Sequence, residues 1–146
     1  MNKRINLQFS QSKPKLKKIW QKTVQAKICN QARCLEINEI DEAKTLFAIA
    51  KNVASGDSTN REGYAARLYF KLLFGTDFTR DDESNINAAL NYGYAILRSY
   101  IAKTIVAYGL EPSLGIHHKS QLNQFNLADD IIEPYRPIVD NFVYQN

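Results

Sequence analysis

The chain has 146 residues, of which 45% are hydrophobic and 23% charged, and its formal net charge is +4. This length and composition fit one globular domain with a hydrophobic core. No apolar run approaches the roughly 18 residues of a membrane span, and no secretory apolar stretch follows the basic N-terminus. We therefore expect a cytoplasmic protein with no membrane partner. Cys29 and Cys34 match no zinc spacing and are expected to be reduced, mostly structural thiols.

Basic residues are concentrated at the beginning of the chain. Nine of the 19 Lys and Arg residues lie within residues 1–35, together with none of the 15 acids. A basic first element on a mildly acidic body favours a polyanion, such as nucleic acid, as a partner. A solvated helix face is the alternative that charge alone leaves open.

The first long element is predicted to be a helix. Residues 1–12 resemble a polar connector, although the alternation in INLQFS also fits an isolated strand. Pro14 suits the first turn of a helix. Apolar residues then recur at three- and four-residue steps and predict one buried face: Leu16, Ile19, Trp20, Val24, Ile28, Ala32 and Leu35. Lys15, Lys18 and Lys22 share another face.

Two further helices and a long helix follow in the predicted order. The pattern indicates a short helix over residues 41–53, a turn at 55–58 and a helix over 59–74. A long helix over 83–108 comes next, and a loop covers 110–121. The side chains expected to be buried in the third helix are Tyr64, Leu68 and Leu72.

Capping residues and prolines mark the predicted helix ends. Thr59 is expected to cap the third helix, and Gly109 to close the long one. Asn126 can cap a last helix, which Pro134 and Pro137 then kink or restart. Because the chain has only six glycines and four prolines and no convincing strand pair, we predict an all-α, compact multi-helix fold.

Glu62 has two interpretations. It lies three residues after Thr59, and Thr-x-x-Glu is the pattern of a capping box. Its carboxylate can equally lie at a helix start and face a cleft. The Thr-x-x-Glu pattern by itself favours a role for Glu62 in a capping box.

A second group of titratable side chains lies in GIHHKSQLNQFNLADDIIEPYRP, residues 115–137. The group comprises His117, His118, Asp129, Asp130 and Glu133. Adjacent histidines point apart, so only one is expected to bind a ligand. The three acids repel one another unless a cation neutralises them. Arg136 is one such cation, and a divalent metal is the other. Oxygen ligands with one imidazole suit Mn²⁺ or Mg²⁺ better than structural zinc.

Three stretches in combination carry a family resemblance: LNYGYAILR, GIHHKSQLN and LADDIIEP. With REGYAARLYFKLLFG, the chain resembles the CRISPR spacer-acquisition integrases, the DNA-integrating subunit of the adaptation complex, in their type II-like branch. That family has an N-terminal β domain and a C-terminal helical catalytic domain. The chain resembles the helical domain alone, over residues 13–146, with 1–12 as a connector remnant. The absent β domain puts activity of this chain alone in doubt.

The resemblance also implies a site and partners. Glu62, His118 and Glu133 match the family's catalytic metal ligands for Mg²⁺ or Mn²⁺, and the implied reaction is phosphoryl transfer on DNA. Around them, Asp129, Asp130 and His117 are expected to support the ligands. The expected partners are double-stranded or branched DNA and a second adaptation subunit, and the full-length form is expected to be a homodimer in a prokaryotic cytoplasm. The candidate DNA-backbone contacts are Lys15, Lys18, Lys22, Arg98 and Lys119.

Two other functions remain open. The chain could be a non-catalytic DNA-binding module whose acids and histidines only satisfy one another. It could also be a scaffold subunit of the adaptation complex that docks to other proteins. The first binds DNA without a divalent ion, and the second binds a partner but not DNA strongly.

Overall fold

The computed structural model describes residues 3–146. Within that range it contains α-helices and short 3-10 segments but no strand, which confirms the all-α prediction. None of the described helices is long and apolar enough to cross a membrane. The α-helices are α1 (Lys3–Phe9), α2 (Lys13–Ile37), α3 (Ala43–Lys51), α4 (Arg61–Phe74), α5 (Asn85–Ala107), α6 (Asn126–Ile131) and α7 (Arg136–Gln145). The 3-10 segments are Ser55–Asp57 and Glu133–Tyr135.

Helix α2 is the central element of the fold. It packs against α3, α4, α7 and both 3-10 segments. Trp20, Val24, Ile28 and Leu35 are buried along one face, as the three- and four-residue spacing predicts. Pro14 lies in the first turn, where its missing N–H leaves no hydrogen bond unmade. Most of the other elements therefore pack directly on α2.

A second apolar cluster joins the C-terminal half of the chain. Buried residues of α5, α6 and the segment after α6 form it: Leu90, Tyr94, Ile101, Ala102, Ile105, Leu127, Ala128 and Ile132. Phe70 and Phe74 of α4 pack against both this cluster and the one around α2. Ile116, in the loop between α5 and α6, does the same. Helix α4 therefore lies between two cores, and its first turn carries Glu62.

The N-terminal segment is a helix, so the isolated strand was a wrong alternative for it. Leu7 and Phe9 are exposed, and no neighbouring strand pairs with them within residues 3–146. Gln8 fixes α1 instead: its amide nitrogen donates to the carbonyls of Glu111 and Leu114, both at 2.9 Å, and its oxygen accepts from the Glu111 N–H. These partners lie about a hundred residues away, beyond any local pattern. The domain division at residue 13 stays a prediction.

The start of α4 corrects the capping prediction. Asn60, not Thr59, is the N-cap, and its side-chain oxygen accepts from the Gly63 N–H at 3.2 Å. The carboxylate of Asp57 accepts from the two N–H groups that precede Gly63, those of Arg61 at 2.8 Å and Glu62 at 3.1 Å. Because these residues satisfy the helix start, the carboxylate of Glu62 is not used in a capping box.

The buried face of α4 also differs from the prediction. Ala65, Tyr69 and Leu73 are buried, whereas Tyr64 is 49% exposed and Leu68 and Leu72 are half-buried. The helix is apolar on several sides, so residue spacing alone did not identify the buried side. Contact with the core around α2, to which Ala65, Tyr69 and Leu73 all belong, determines it.

The C-terminal boundaries were predicted with one error. Gly109 follows α5 in the left-handed region, at φ 77°, and the chain restarts as a helix around Pro134 and Pro137. Asn126 does not cap α6, whose N-cap is Phe125. The side-chain amide of Asn126 instead donates to the carbonyls of Ser113 at 3.1 Å and Ser120 at 2.7 Å. Asn126 thus fastens the preceding loop to α6.

The two capping assignments give different stability predictions. Asn60→Ala should lower the free energy of unfolding by about 1–2 kcal/mol, because it removes the acceptor for the Gly63 N–H and places alanine at φ 51°. The matched control Thr59→Ala should change it by less than about 0.5 kcal/mol. Urea unfolding of both variants measures this. A larger loss for Thr59→Ala than for Asn60→Ala would contradict the observed cap.

Candidate active site

Two of the predicted ligands converge on a lysine. Helix α2 presents Lys27, helix α4 presents Glu62, and the 3-10 segment after α6 presents Glu133. The Lys27 Nζ lies 2.5 Å from Glu133 Oε2 and 3.9 Å from Glu62 Oε2. Lys27 is only 9% exposed. Two carboxylates from distant parts of the chain therefore face one buried cation.

The two carboxylates have opposite pKa shifts. Burial acts to raise the pKa of Glu133, but the charges and hydrogen bonds of Lys27 and Arg136 outweigh it, and the pKa is lowered. Arg136 Nε donates to Glu133 Oε1 at 3.0 Å. Burial raises the pKa of Glu62, and Lys27 only partly opposes this. Glu62 Oε2 is also buried without a hydrogen bond among the described residues. Glu62 is therefore the carboxylate with the weaker cationic partner.

A cavity of about 310 Å³ lies beside these groups. Its lining residues come from α2, α4, α5, α7, the 3-10 segment after α6 and the loop between α4 and α5. They include Gln31, Arg80, Tyr94, Arg136 and Asp140 along with Lys27, Glu62 and Glu133. Charged and polar groups dominate its wall. The cavity thus offers a small, polar space next to the carboxylate pair.

Asp140 ties three helices together beneath this cavity. It is 1% exposed and accepts hydrogen bonds from the hydroxyls of Tyr69, at 2.8 Å, and Tyr94. Burial raises the pKa of Asp140 to about 6, against the opposing effect of these two hydrogen bonds. Asp140 therefore joins α4, α5 and α7 behind the site.

His118 is held by a buried carboxylate. Asp130 accepts from the backbone N–H groups of Ile116, His117 and His118 at 2.6, 2.8 and 3.1 Å, and it contacts His118 Nδ1. A carboxylate at one ring nitrogen fixes the ring and leaves the other nitrogen as the available ligand atom. This is the usual support of a metal-binding histidine. Asp130, predicted as a supporting residue, therefore does contact the predicted ligand His118.

His117 has a different environment. Its ring stacks on the buried Trp20 with a centroid distance of 4.3 Å and an interplanar angle of 0°. Gly115 permits the tight loop that carries both histidines, since a Cβ there would lie 2.0 Å from the His118 carbonyl oxygen. The loop therefore holds His117 stacked on Trp20 of α2 and His118 hydrogen-bonded to Asp130.

The chemistry of these donors fits a divalent cation. Two carboxylates and one neutral imidazole are typical ligands of Mn²⁺ or Mg²⁺, and the buried Glu62 Oε2 lacks a hydrogen bond. In the part of the chain that the structure describes, however, no three His, Cys, Asp or Glu side chains are placed to hold one ion together. The carboxylates meet at Lys27, and His118 remains with Asp130.

Asp129 and Arg98 bind each other. The guanidinium donates to Asp129 at 2.7 and 3.0 Å and lies 4.4 Å from the centroid of the Phe125 ring. Asn123 donates to the same carboxylate at 2.7 Å. Asp129 is therefore not brought to Glu133, and Arg98 fastens the loop before α6 to α5. A DNA contact by Arg98 stays a prediction.

The predicted basic face is exposed, but other lysines lie closer to the histidine loop. Lys15, Lys18, Lys22 and Lys119 are all exposed. A groove lined by Lys13, Leu16, Lys17, Trp20, Gly56, Ile116, His117 and Lys119 runs beside that loop. Of the predicted backbone contacts, only Lys119 lines it. Lys13 and Lys17 were not among the predicted contacts, although their four-residue spacing places both on one side of α2 beside the loop.

Lys27 is the other residue that the sequence analysis missed. It lies between Val24 and Ile28 on the buried side of α2 and is followed four residues later by Gln31, which is also buried. A lysine on an apolar helix face needs a buried acid as its partner. That signal was present in the sequence, but the partner was not identifiable.

The family of the chain follows from its similarity to known proteins. Residues 2–146 match the family model described as CRISPR associated protein Cas1. The chain belongs to the Cas1 family. It is 51% identical to the CRISPR-associated endonuclease Cas1 of Neisseria meningitidis serogroup C (strain 8013) over 137 residues, which cover 93% of the chain and 45% of that protein. The chain thus spans about half the length of this Cas1 relative.

Two solved structures share the fold. One is a partial Cas6-RT-Cas1–Cas2 complex, with a TM-score of 0.81 and 25% identity over 97% of the chain and 48% of the other. The other is a casposase bound to integration product, with a TM-score of 0.73 and 26% identity over 92% of the chain and 43% of the other. The helical fold therefore recurs in a Cas1-containing complex and in a casposase bound to integration product.

Asp130 and Asp129 should differ sharply in their effect on stability. Asp130→Ala should lower the free energy of unfolding by about 3–5 kcal/mol, because three N–H groups of the histidine loop lose their acceptor. The neighbouring control Asp129→Ala breaks a more exposed pair with Arg98 and should cost about 1 kcal/mol or less. Thermal and urea unfolding measure both. Equal losses would show that Asp130 does not organise the loop.

Asp140 should make stability fall as pH rises. Its pKa is raised from the ordinary 3.8 to about 6 in the folded state, so the folded protein binds this proton more tightly than the unfolded chain. The contribution is fully present below pH 4 and is lost as pH rises through 6, by up to about 3 kcal/mol. Asp140→Asn lacks this titration. The stability of the parent relative to Asp140→Asn should therefore decline from pH 4 to 7 in urea unfolding, and a constant difference would contradict it.

Proposed function

We propose that the chain is the catalytic helical half of a divalent-ion-dependent DNA endonuclease and integrase, which inserts new spacers into a CRISPR array. The observation that carries the proposal is the convergence of Glu62 and Glu133 on one cation position, with Glu62 Oε2 buried and lacking a hydrogen bond. Such carboxylate pairs are needed where a cation must be held against DNA phosphates.

The side chains of this chain have separate roles in the proposed site. Glu62, Glu133 and the free ring nitrogen of His118 would hold Mg²⁺ or Mn²⁺, which would polarise the scissile phosphate and activate the attacking hydroxyl. Asp130 keeps the His118 ring oriented, and Arg136 keeps Glu133 ionised and in place. His118 would bind the ion through a neutral imidazole nitrogen.

The reaction is an exchange of phosphodiester bonds. The 3′-hydroxyl oxygen of one DNA strand attacks a backbone phosphorus of another, a new P–O bond forms, and the bond to the departing 3′-oxygen breaks. The attacking oxygen loses one proton and the departing oxygen gains one, so the step needs no nucleotide cofactor. Cutting follows the same course with water as the attacking group. Positioning and charge compensation supply most of the catalysis in such a step.

The basic surface supports DNA as the substrate. Lys13, Lys17 and Lys119 line the groove beside the histidine loop, and Lys15, Lys18 and Lys22 are exposed on the same helix. Lysines of this kind contact phosphates and set the position of the duplex without reading its sequence. The groove would guide a DNA backbone towards Glu62 and His118.

The proposed partners follow from the relatives. One neighbour is part of a complex with Cas2, and another is bound to an integration product. We propose that this chain also acts with a second adaptation subunit on branched duplex DNA in a prokaryotic cytoplasm. The full-length form is proposed to be a homodimer that places two active sites on one DNA.

The site assignment predicts a defined set of variant effects. Glu62→Gln, Glu133→Gln and His118→Ala should each weaken Mn²⁺ binding by about tenfold or more and abolish Mn²⁺-dependent nicking and joining of branched duplex DNA. His117→Ala serves as the matched control, because it removes the adjacent imidazole but no proposed ligand. Calorimetry measures binding, and gel assays of labelled DNA measure cutting and joining.

The controls separate the outcomes. Loss of Mn²⁺ binding in His117→Ala but not in His118→Ala would reassign the imidazole ligand. Mn²⁺ binding without any DNA reaction would show that this half of the protein holds the ion but needs the rest of the chain for catalysis. Absence of Mn²⁺ binding by the parent would overturn the metal centre.

A non-catalytic DNA-binding function is the second candidate. It is favoured by the pairing of Lys27 and Arg136 with Glu133, because these charges satisfy one another without a metal. DNA affinity would then be unchanged by EDTA and by Glu62→Gln. A scaffold function predicts instead that the chain binds a protein partner while its affinity for DNA is low.

A further inference from the structure

Lys27 is a buried cation at the centre of the proposed metal site. Burying an ammonium group is costly unless it is paired, and the structure pairs this one with Glu133 at 2.5 Å and with Glu62 at 3.9 Å. Its methylene chain lies on the buried side of α2 between Val24 and Ile28. The position of the ammonium is therefore determined by the two carboxylates that are proposed to bind metal.

The ammonium and a divalent ion would require the same oxygen atoms. Lys27 contacts the Oε2 atoms of both Glu62 and Glu133. Mg²⁺ binds carboxylate oxygens at roughly 2.0–2.1 Å and Ca²⁺ at roughly 2.3–2.6 Å. A second cation at that distance would be repelled by an ammonium held at the same oxygens.

Arg136 does not have this conflict. Its Nε donates to Glu133 Oε1, the other oxygen of that carboxylate. Arg136 can therefore stay bound while Oε2 changes partner. The exchange concerns one side chain, Lys27.

The cavity contains other acceptors for the Lys27 ammonium. Lys27 lines the same space of about 310 Å³ as Asp140 and Gln31. Both offer oxygen atoms, and the Oε1 of Gln31 is buried without a hydrogen bond among the described residues. An ammonium that leaves the two glutamates would still have acceptors within the cavity wall.

We propose that Lys27 is the resident cation of the ion-free site and that a divalent ion binds by displacing it from Glu62 and Glu133. This inference rests on the proposed function. Lys27 then has two effects: it holds the two carboxylates together before the ion arrives, and it weakens ion binding by competition. Once displaced, its ammonium lies beside the ion, where a DNA phosphate needs positive charge.

The first test is the Mn²⁺ affinity of Lys27→Met. Calorimetry should show binding about tenfold tighter than in the parent, since the ion no longer competes with a charge at the same oxygens. Lys22→Met is the matched control: it removes the same charge from an exposed position five residues earlier on α2 and should bind Mn²⁺ like the parent. Equal or weaker binding by folded Lys27→Met would overturn the inference.

A second test uses the unaltered side chain. The ¹⁵N signal of a buried, paired lysine ammonium is protected from exchange, and Lys27→Arg identifies it by its loss. Saturation with diamagnetic Mg²⁺ should shift or remove the Lys27 ammonium signal and leave the backbone amide signals of Lys15 and Lys18, which lie on the exposed side of the same helix, unchanged. An unchanged Lys27 signal at Mg²⁺ saturation would overturn the displacement, even if Lys27→Met does not fold.

The two proposals fail in different ways. Mn²⁺ binding that is lost in Glu62→Gln and Glu133→Gln but not improved in Lys27→Met leaves the metal centre intact and removes the role of Lys27. Absence of Mn²⁺ binding in the parent, Lys22→Met and Lys27→Met alike overturns the metal centre, and with it the displacement.

Discussion

The contact of the Lys27 ammonium with Glu133 and Glu62 is the interaction on which the site depends. It joins α2, α4 and the segment after α6, which are separated by 35 to more than 100 residues of chain but meet at one buried point. Removing one member of such a buried pair typically costs about 3–5 kcal/mol, because the remaining charge is left without a partner. The same contact keeps two like charges close together, which they would otherwise resist. The fold therefore holds two carboxylates around one buried cation.

Other buried carboxylates place the surrounding elements. Asp130 gathers three backbone N–H groups and the His118 ring, and thereby fixes the loop that carries both histidines. Asp140 collects the hydroxyls of Tyr69 and Tyr94 behind the cavity. Each acid binds groups from a different part of the chain, so the polar interior acts as a set of positioning contacts around Glu62 and Glu133. Charge, and not apolar packing alone, decides where the helices of the two cores meet.

The sequence was sufficient for the helices after residue 12 but not for their contacts. The spacing from Trp20 to Leu35 predicted α2, and Gly109, Pro134 and Pro137 marked boundaries, because these signals are local. The cap at Asn60 was missed because the adjacent Thr59 offered a competing local cap. The partners of Asn126 lie in the irregular loop just before α6, and α1 is held by contacts about a hundred residues away. Glu62, His118 and Glu133 were singled out by resemblance to a family, which carries information about tertiary contacts that periodicity lacks. Lys27 was missed because its partners lie on α4 and beyond α6.

We propose that Glu62, His118 and Glu133 of this Cas1-family chain bind one divalent ion. Anomalous X-ray scattering at the manganese edge, from crystals grown with Mn²⁺, would locate that ion. We expect one strong peak bonded to Glu62, Glu133 and Nε2 of His118, with Asp130 still on Nδ1 and the Lys27 ammonium moved away. A peak on His117 or elsewhere, or no peak with Lys27 still between the two glutamates, would contradict it.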